Sequence, residues 1–71
     1  MIDAVGLMCP EPVFRARRAL DALRSGQELE LRADDPLAGL DLEVFCQRHG
    51  HSLRQIADLE GGVRVFKIRK R

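Results

Sequence analysis

The 71-residue chain contains no tryptophan, no tyrosine and only three phenylalanines. Proteins that bind single-stranded nucleic acids stack the bases on aromatic side chains, so this composition does not favour direct nucleic-acid binding. The formal net charge of +1 implies no particular class of charged partner. The chain also lacks a hydrophobic run long enough to cross a membrane and a signal-peptide pattern at its start, so we expect a cytoplasmic protein that does not contact a membrane.

Cysteine is scarce as well, with Cys9 and Cys46 as the only two. They do not form a Cys-x-x-Cys pair, and the ligand spacing of zinc sites is missing, so we expect no metal site in spite of His49 and His51. Without a secretion signal, two cysteines are typical of a reducing cytosol. We interpret Cys46 as a packing residue, since unpaired cysteine is among the most buried residue types. A role for Cys46 as resolving thiol for Cys9 stays open as the alternative.

Hydrophobic periodicity predicts a single domain with the element order βαβαββ. Two βα units followed by a hairpin make an α+β fold, a two-layer sandwich with two helices on one face of a mixed four-stranded sheet. The predicted elements are a strand at 1–5, a helix at 11–24, a strand at 28–33, a helix that ends at 49, and strands at 52–59 and 63–70 joined by a turn at 60–62.

The start and the apolar face of each helix follow from spacing and capping signals. We expect Asp35 to be the N-cap of the second helix, because Pro36 suits the first helical position. Gly39 is expected to separate a first turn from the rest of this helix. The predicted apolar faces are Val13, Ala16, Leu20 and Leu23 in the first helix, and Leu37, Leu40 and Val44, with Phe45 at the edge, in the second.

The most informative motif is Cys9-Pro10-Glu11-Pro12, which places a thiol directly before the first helix. Proline is tolerated in a first turn, and Glu11 puts a negative charge at the positive end of the helix dipole. We expect free backbone N–H groups of this turn to point toward Cys9 and to lower its pKa. We expect Pro10 and Pro12 to act through local geometry, outside the core. The motif predicts a reactive sulfur at Cys9, and the alternative is a small buried hydrophobic cysteine.

Basic side chains form two further groups. Arg17 and Arg18 on the first helix predict a docking surface for an acidic partner, with a solvated helix face as the alternative. We interpret the basic C-terminal segment as a solubilising edge strand. Its members are Lys67, Arg69, Lys70 and Arg71.

The run from Asp3 to Pro12 resembles the signature of the TusA/SirA-like sulfur-carrier family, in which Cys-Pro-x-Pro follows a Gly-Leu pair. The similarity continues through Ala33-Asp34-Asp35-Pro36, Phe45-Cys46 and Ile68-Arg69-Lys70, and so covers nearly the whole chain. The resemblance implies one sulfur-carrier domain over residues 1–71, with the two-layer βαβαββ fold described above.

The resemblance also implies a function, a sulfur relay. Cys9 would accept sulfane sulfur from a cysteine desulfurase or a rhodanese-like donor, hold it as a persulfide, and pass it to an acceptor protein. This is a carrier more than a stand-alone catalyst, and we expect no cofactor. Family destinations are 2-thiolation of tRNA, molybdenum cofactor biosynthesis and dissimilatory sulfur transfer. Two other classes stay open, a thiol–disulfide redox protein that uses Cys9 and Cys46, and a small regulatory or nucleic-acid-binding module.

Overall fold

The computed structural model describes residues 1–71 and contains two helices and one four-stranded sheet in the strand order β1-β2-β4-β3. Strands β1 and β2 are parallel, whereas β4 is antiparallel to both β2 and β3, so the sheet is mixed. The predicted α+β sandwich is confirmed. Its elements are β1 Ile2–Asp3, α1 Glu11–Asp21, β2 Glu28–Ala33, α2 Ala38–His49, β3 Ser52–Asp58, a short 3₁₀ turn Glu60–Gly62, and β4 Arg64–Arg69.

The core lies between the helices and one face of the sheet. Alternation along β2 puts Leu31 and Ala33 in the core and leaves Arg32 exposed, as expected for a half-buried strand. On α1 the predicted apolar face is confirmed: Ala16 and Leu20 are buried, and Val13 and Leu23 pack against the cluster. The buried cluster consists of Ala4, Ala16, Leu20, Leu31, Ala33, Ala38, Leu42, Cys46, Phe66 and Ile68.

The basic C-terminal strand is not an edge strand, and that interpretation is wrong. The hairpin folds back so that β4 lies between β2 and β3, where both of its sides are hydrogen-bonded. Lys70, just after β4, donates from Nζ to the carbonyl oxygens of Leu20 and Leu23, each at 2.7 Å. A cation at these carbonyls suits the negative end of a helix. α1 itself ends at Asp21, three residues before the predicted end.

The exposed and buried faces of α2 differ from the prediction. Leu37, Leu40 and Val44 are 54%, 59% and 43% exposed. At its N-terminal end α2 packs closely over Phe66, so that a Cβ atom added at Gly39 would lie 3.4 Å from Phe66 Cζ. Gly39 therefore permits a close approach inside the helix and does not separate off a first turn. The residues of α2 that are buried are Ala38, Leu42 and Cys46.

Because Leu42 lies on the buried face of α2 and Leu40 on the exposed face, we expect these two leucines to contribute very differently to stability. We expect Leu42→Ala to lower the free energy of unfolding by about 2–5 kcal/mol, because its side chain is fully buried. We expect Leu40→Ala to change it by less than about 0.5 kcal/mol, because its side chain is exposed. Urea denaturation followed by circular dichroism measures both. Similar losses in the two variants would favour the face predicted from spacing.

Candidate functional site

Cys9 is exposed at the surface, in the loop that joins β1 to α1. Because β1 and β2 are parallel, the loops that follow them leave the same edge of the sheet, and the first turns of α1 and α2 lie side by side. The Cys9 thiol donates a hydrogen bond to Oδ2 of Asp41, in the first turn of α2. The site therefore combines a thiol from one βα unit with a carboxylate from the next.

Two aspartates of the loop after β2 hold the Cys9 loop in place. The backbone N–H of Gly6 donates to Asp34 Oδ1 at 2.9 Å, and the N–H of Cys9 donates to Asp35 Oδ2 at 2.8 Å. The other carboxylate oxygen of Asp35 accepts the N–H of Leu37, also at 2.8 Å. Asp35 thus joins the two loops and is not the N-cap of α2. The residue at the N-cap position is Leu37, and no side chain caps this helix start.

Arg64 of β4 holds the loop of Asp34, Asp35 and Pro36, which follows β2, by hydrogen bonds to its backbone. Its Nη2 donates to the carbonyl oxygens of Asp35 and Pro36 at 3.1 and 3.0 Å, and its guanidinium lies 5.5 Å from the centre of the Phe66 ring. The N–H groups of Leu37 and Cys9 lower the pKa of Asp35, and the charge of Arg64 lowers it further. Hydrogen bonds to the charged form have this effect, so Asp35 is held as a carboxylate at neutral pH.

The first turn of α1 offers Cys9 no free amide, so the predicted helix N–H donors are absent. Pro10 and Pro12 have no N–H to donate. The N–H of Glu11 donates to the Met8 carbonyl at 2.8 Å, and that of Val13 donates to the Pro10 carbonyl at 3.1 Å. The prolines that make the motif recognisable therefore remove the donors on which the thiolate argument depended.

The pKa of Cys9 is raised above its ordinary value, so the prediction of a lowered pKa is wrong for the unmodified thiol. The largest cause is the hydrogen bond from the thiol to Asp41, followed by desolvation and by the negative charges of Asp41 and Asp35. A carboxylate that accepts the thiol proton favours the neutral form. Sequence reasoning missed Asp41. The signal for it is an acidic residue in the first turn of a helix parallel to α1.

The other residues singled out in the motif and on α1 do not contact Cys9 by hydrogen bonds or ion pairs. Pro10 and Glu11 are exposed, whereas Pro12 is fully buried on the packed face of α1, so the expectation that both prolines lie outside the core is wrong for Pro12. Arg17 and Arg18 are exposed farther along α1. Arg17 lines a small cleft between the second halves of the helices, together with Asp21, Phe45, His49, His51 and Lys70.

Cys46 is buried in the core, which confirms its interpretation as a packing residue. Burial raises its pKa to about 11. Both cysteines are free, and Cys9 is exposed whereas Cys46 is enclosed. His49 and His51 lie against Phe45, and His51 Nδ1 accepts the N–H of Arg71 at 3.1 Å. No three His, Cys, Asp or Glu side chains come together as ligands for a metal ion. Neither helix has the length and hydrophobicity needed to span a bilayer.

Known proteins are similar to this chain over almost its whole length. The model of the sulfurtransferase TusA family matches residues 1–70, and the chain belongs to that family. The sulfur carrier protein TusA of Allochromatium vinosum is 41% identical over 69 residues, which cover 97% of this chain and 90% of that protein. A relative from Archaeoglobus fulgidus, provisionally named a sulfur carrier protein, is 43% identical over 68 residues, 96% of this chain and 88% of its own length.

A solved structure is also similar. The crystal structure of a SirA-like protein from Desulfitobacterium hafniense has a TM-score of 0.83 and 28% sequence identity. The alignment covers 96% of this chain and 92% of the other. The likeness therefore extends over nearly the whole sandwich.

Because the Asp35 carboxylate anchors the loop that carries Cys9, we expect this anchoring to be sensitive to acid. Because the pKa of Asp35 is lower in the folded chain than in the unfolded chain, its contribution is present above the unfolded pKa and is lost as pH falls through the folded pKa. The unfolded value is about 3.9, so the loop stays anchored at neutral pH and is released in acid. We expect Asp35→Ala to abolish hydrogen-exchange protection of the Cys9 amide at neutral pH. Asp58→Ala, an exposed aspartate of β3, is the control. Equal protection in both variants would contradict the assignment.

Proposed function

We propose that the protein is a sulfur carrier that accepts sulfane sulfur on Cys9 as a persulfide and passes it to an acceptor protein. The observation that carries the proposal is the exposed thiol of Cys9 on a loop whose backbone is tied to Asp34 and Asp35. Sulfur exchange between two proteins requires that both sulfur atoms reach the surface. A reaction on a small molecule would be served better by an enclosed, largely apolar cavity. Membership of the sulfurtransferase TusA family supports the same function.

The chemistry needs only Cys9 and a second sulfur-bearing protein. In loading, Cys9 Sγ attacks the outer sulfur of a donor persulfide, the donor S–S bond breaks, and the donor leaves as a thiol. In delivery, an acceptor thiol attacks the outer sulfur on Cys9, and Cys9 returns to the thiol form. One persulfide replaces another in each step, so no oxidant, reductant or cofactor is consumed. The thiolate is the attacking species, so the release of the Cys9 proton controls loading.

The surface around Cys9 suits contact with another protein. Met8, the residue before Cys9, is 75% exposed, and Leu37 and Leu40, which precede Asp41 at the start of α2, are exposed as well. Exposed apolar side chains in one place are typical of protein-binding surfaces. A partner that covers them would bring its own sulfur to Cys9 and would exclude water from the transfer.

The proposed partners are a cysteine desulfurase or a rhodanese-like protein as donor and a second sulfur-binding protein as acceptor. The family resemblance supports three destinations for the sulfur, which are tRNA 2-thiolation, molybdenum cofactor biosynthesis and dissimilatory sulfur metabolism. These processes would place the protein in the cytoplasm. The proposal does not require direct binding to nucleic acid, since the acceptor protein carries the sulfur onward.

Mass spectrometry of the intact protein tests the proposal. After incubation with a cysteine desulfurase and cysteine, or with a rhodanese and thiosulfate, we expect the mass of one added sulfur atom, removable by a reductant. Cys9→Ser is expected to abolish the adduct. Cys46→Ala is the matched control and is expected to keep it, since Cys46 is buried in the core.

Mass spectrometry, together with a measurement of RNA binding, also separates the alternative functions. An adduct that maps to Cys46 would contradict the assignment of Cys9. A disulfide between Cys9 and Cys46 in place of the adduct would favour a thiol–disulfide redox protein. Salt-dependent RNA binding that survives Cys9→Ser, without any sulfur adduct, would favour a nucleic-acid-binding module.

We further propose that Arg17 and Arg18 contribute to partner docking, because both are exposed on the helix that follows Cys9. A relay benefits from fast and reversible encounters, which complementary charge accelerates. Replacing both residues by glutamate is expected to slow sulfur transfer from a protein donor and to reduce the salt dependence of the remaining rate.

The matched control makes the same change of charge on the other side of the sheet. Arg32→Glu combined with Arg69→Glu alters two exposed arginines of β2 and β4 whose neighbours along each strand face the core. This variant is expected to transfer sulfur at nearly the normal rate. Alkylation of Cys9 by a small neutral reagent is expected to stay the same in both double variants. If the Arg17 and Arg18 variant transfers as fast as the control, these arginines form a solvated helix face.

A further inference from the structure

The Cys9 thiol and the Asp41 carboxylate come from different βα units and share one proton by a hydrogen bond. We propose that Asp41 directs the Cys9 thiol, keeps it protonated until a sulfur-bearing partner arrives, and takes up the proton during loading. This inference rests on the proposed sulfur-carrier function. It assigns to a residue outside the Cys-Pro-x-Pro motif the control of when the carrier sulfur becomes reactive.

The groups that surround Cys9 favour retention of the proton. Asp41 approaches from α2 and Asp35 from the loop before it, and both bring negative charge to the sulfur. The cation of this region, Arg64, donates to the backbone carbonyls of Asp35 and Pro36 and makes no hydrogen bond with Cys9. The sulfur therefore lies on the acidic side of the loop. The raised pKa of Cys9, caused first by the hydrogen bond to Asp41, is consistent with this arrangement.

A retained proton protects an exposed thiol. Susceptibility of cysteine to oxidation follows its thiolate character and its exposure, and Cys9 is exposed to small oxidants. A carrier with a persistent thiolate at this position would be oxidised or alkylated between encounters with its partners. Asp41 lowers the thiolate fraction without burying the sulfur, so the thiol stays accessible to a protein while it is slow to react with small molecules.

The loading step balances with Asp41 as the intermediate holder of the proton. As Cys9 Sγ bonds to the outer sulfur of the donor persulfide, its proton moves to Asp41 Oδ2 and the donor S–S bond breaks. The electron pair of that bond leaves on the donor sulfur, which then takes the proton from Asp41. The products are a persulfide on Cys9 and a donor thiol, and Asp41 returns to the carboxylate.

Asp41→Asn tests this inference, since asparagine keeps the shape of the side chain and a hydrogen-bond acceptor but removes the charge. We measure the rate of Cys9 alkylation by a small neutral reagent across pH, and the rate of oxidation by hydrogen peroxide at neutral pH. The expected results are an alkylation profile shifted to lower pH and faster oxidation. Glu43→Gln, which removes an exposed charge from the same helix, is the control and is expected to leave both unchanged. Asp41→Ser, checked by circular dichroism, provides a second folded variant.

Unchanged profiles in folded Asp41→Asn and Asp41→Ser would overturn the inference, and so would a shift to higher pH. The sulfur-loading experiment is read separately. If the parent protein never acquires sulfur on Cys9, the proposed function fails even where the alkylation profile shifts. If Cys9 is loaded normally and the profile does not respond to Asp41, the carrier function stands and the role of Asp41 is refuted.

Discussion

The geometry of the site depends on the carboxylate of Asp35, which connects two loops by hydrogen bonds. One of its oxygens accepts the N–H of Cys9 and the other accepts the N–H of Leu37, so a single side chain fixes the loop before α1 and the turn before α2. The parallel pairing of β1 and β2 brings these two loops together, and Arg64 of β4 holds the carbonyl side of the same turn. Three elements that are distant in sequence therefore set the position of one exposed sulfur. Polar contacts do this work, because the loop itself contributes little to the core beyond Ala4 and Leu7.

Much of the fold could be predicted because local signals agreed with the tertiary structure. The bounds of β2 were predicted at both ends, since alternation is clear there and Gly26 marks the preceding turn. The buried face of α1 also follows its spacing. The face of α2 did not, because Leu42 is buried between Ala38 and Cys46 while Leu37 and Leu40 are exposed, and Gly39 brings the start of the helix close to Phe66. Leucines lie on both sides of this helix, so spacing alone does not decide which side is buried, and only the packing against the sheet does.

The place of Cys9 before the first helix was predictable from the sequence, and the contacts that surround it were not. The prolines beside Cys9 marked the residue correctly as exposed, but the argument from helix amides failed because those same prolines remove the donors. The second βα unit contacts the Cys9 loop of the first through Asp34, Asp35 and Asp41. Local sequence patterns do not predict contacts between residues so far apart in the chain. Asp35 was noted for its place before Pro36, yet its hydrogen bonds serve another loop. Family membership and the shared fold are consistent with this arrangement without revealing it.

The first turn of α1 has a consequence for how strongly a negative charge at Cys9 would be stabilised. Its amides are either missing, at Pro10 and Pro12, or already bonded, at Glu11 and Val13. Sites that retain anions generally present several free backbone amides at a helix start. An anion that forms on Cys9 is therefore not stabilised by backbone amides of α1, and its loss costs little free energy. For the proposed sulfur carrier this is an advantage, because an outer sulfur that the helix does not stabilise is transferred more readily to an acceptor.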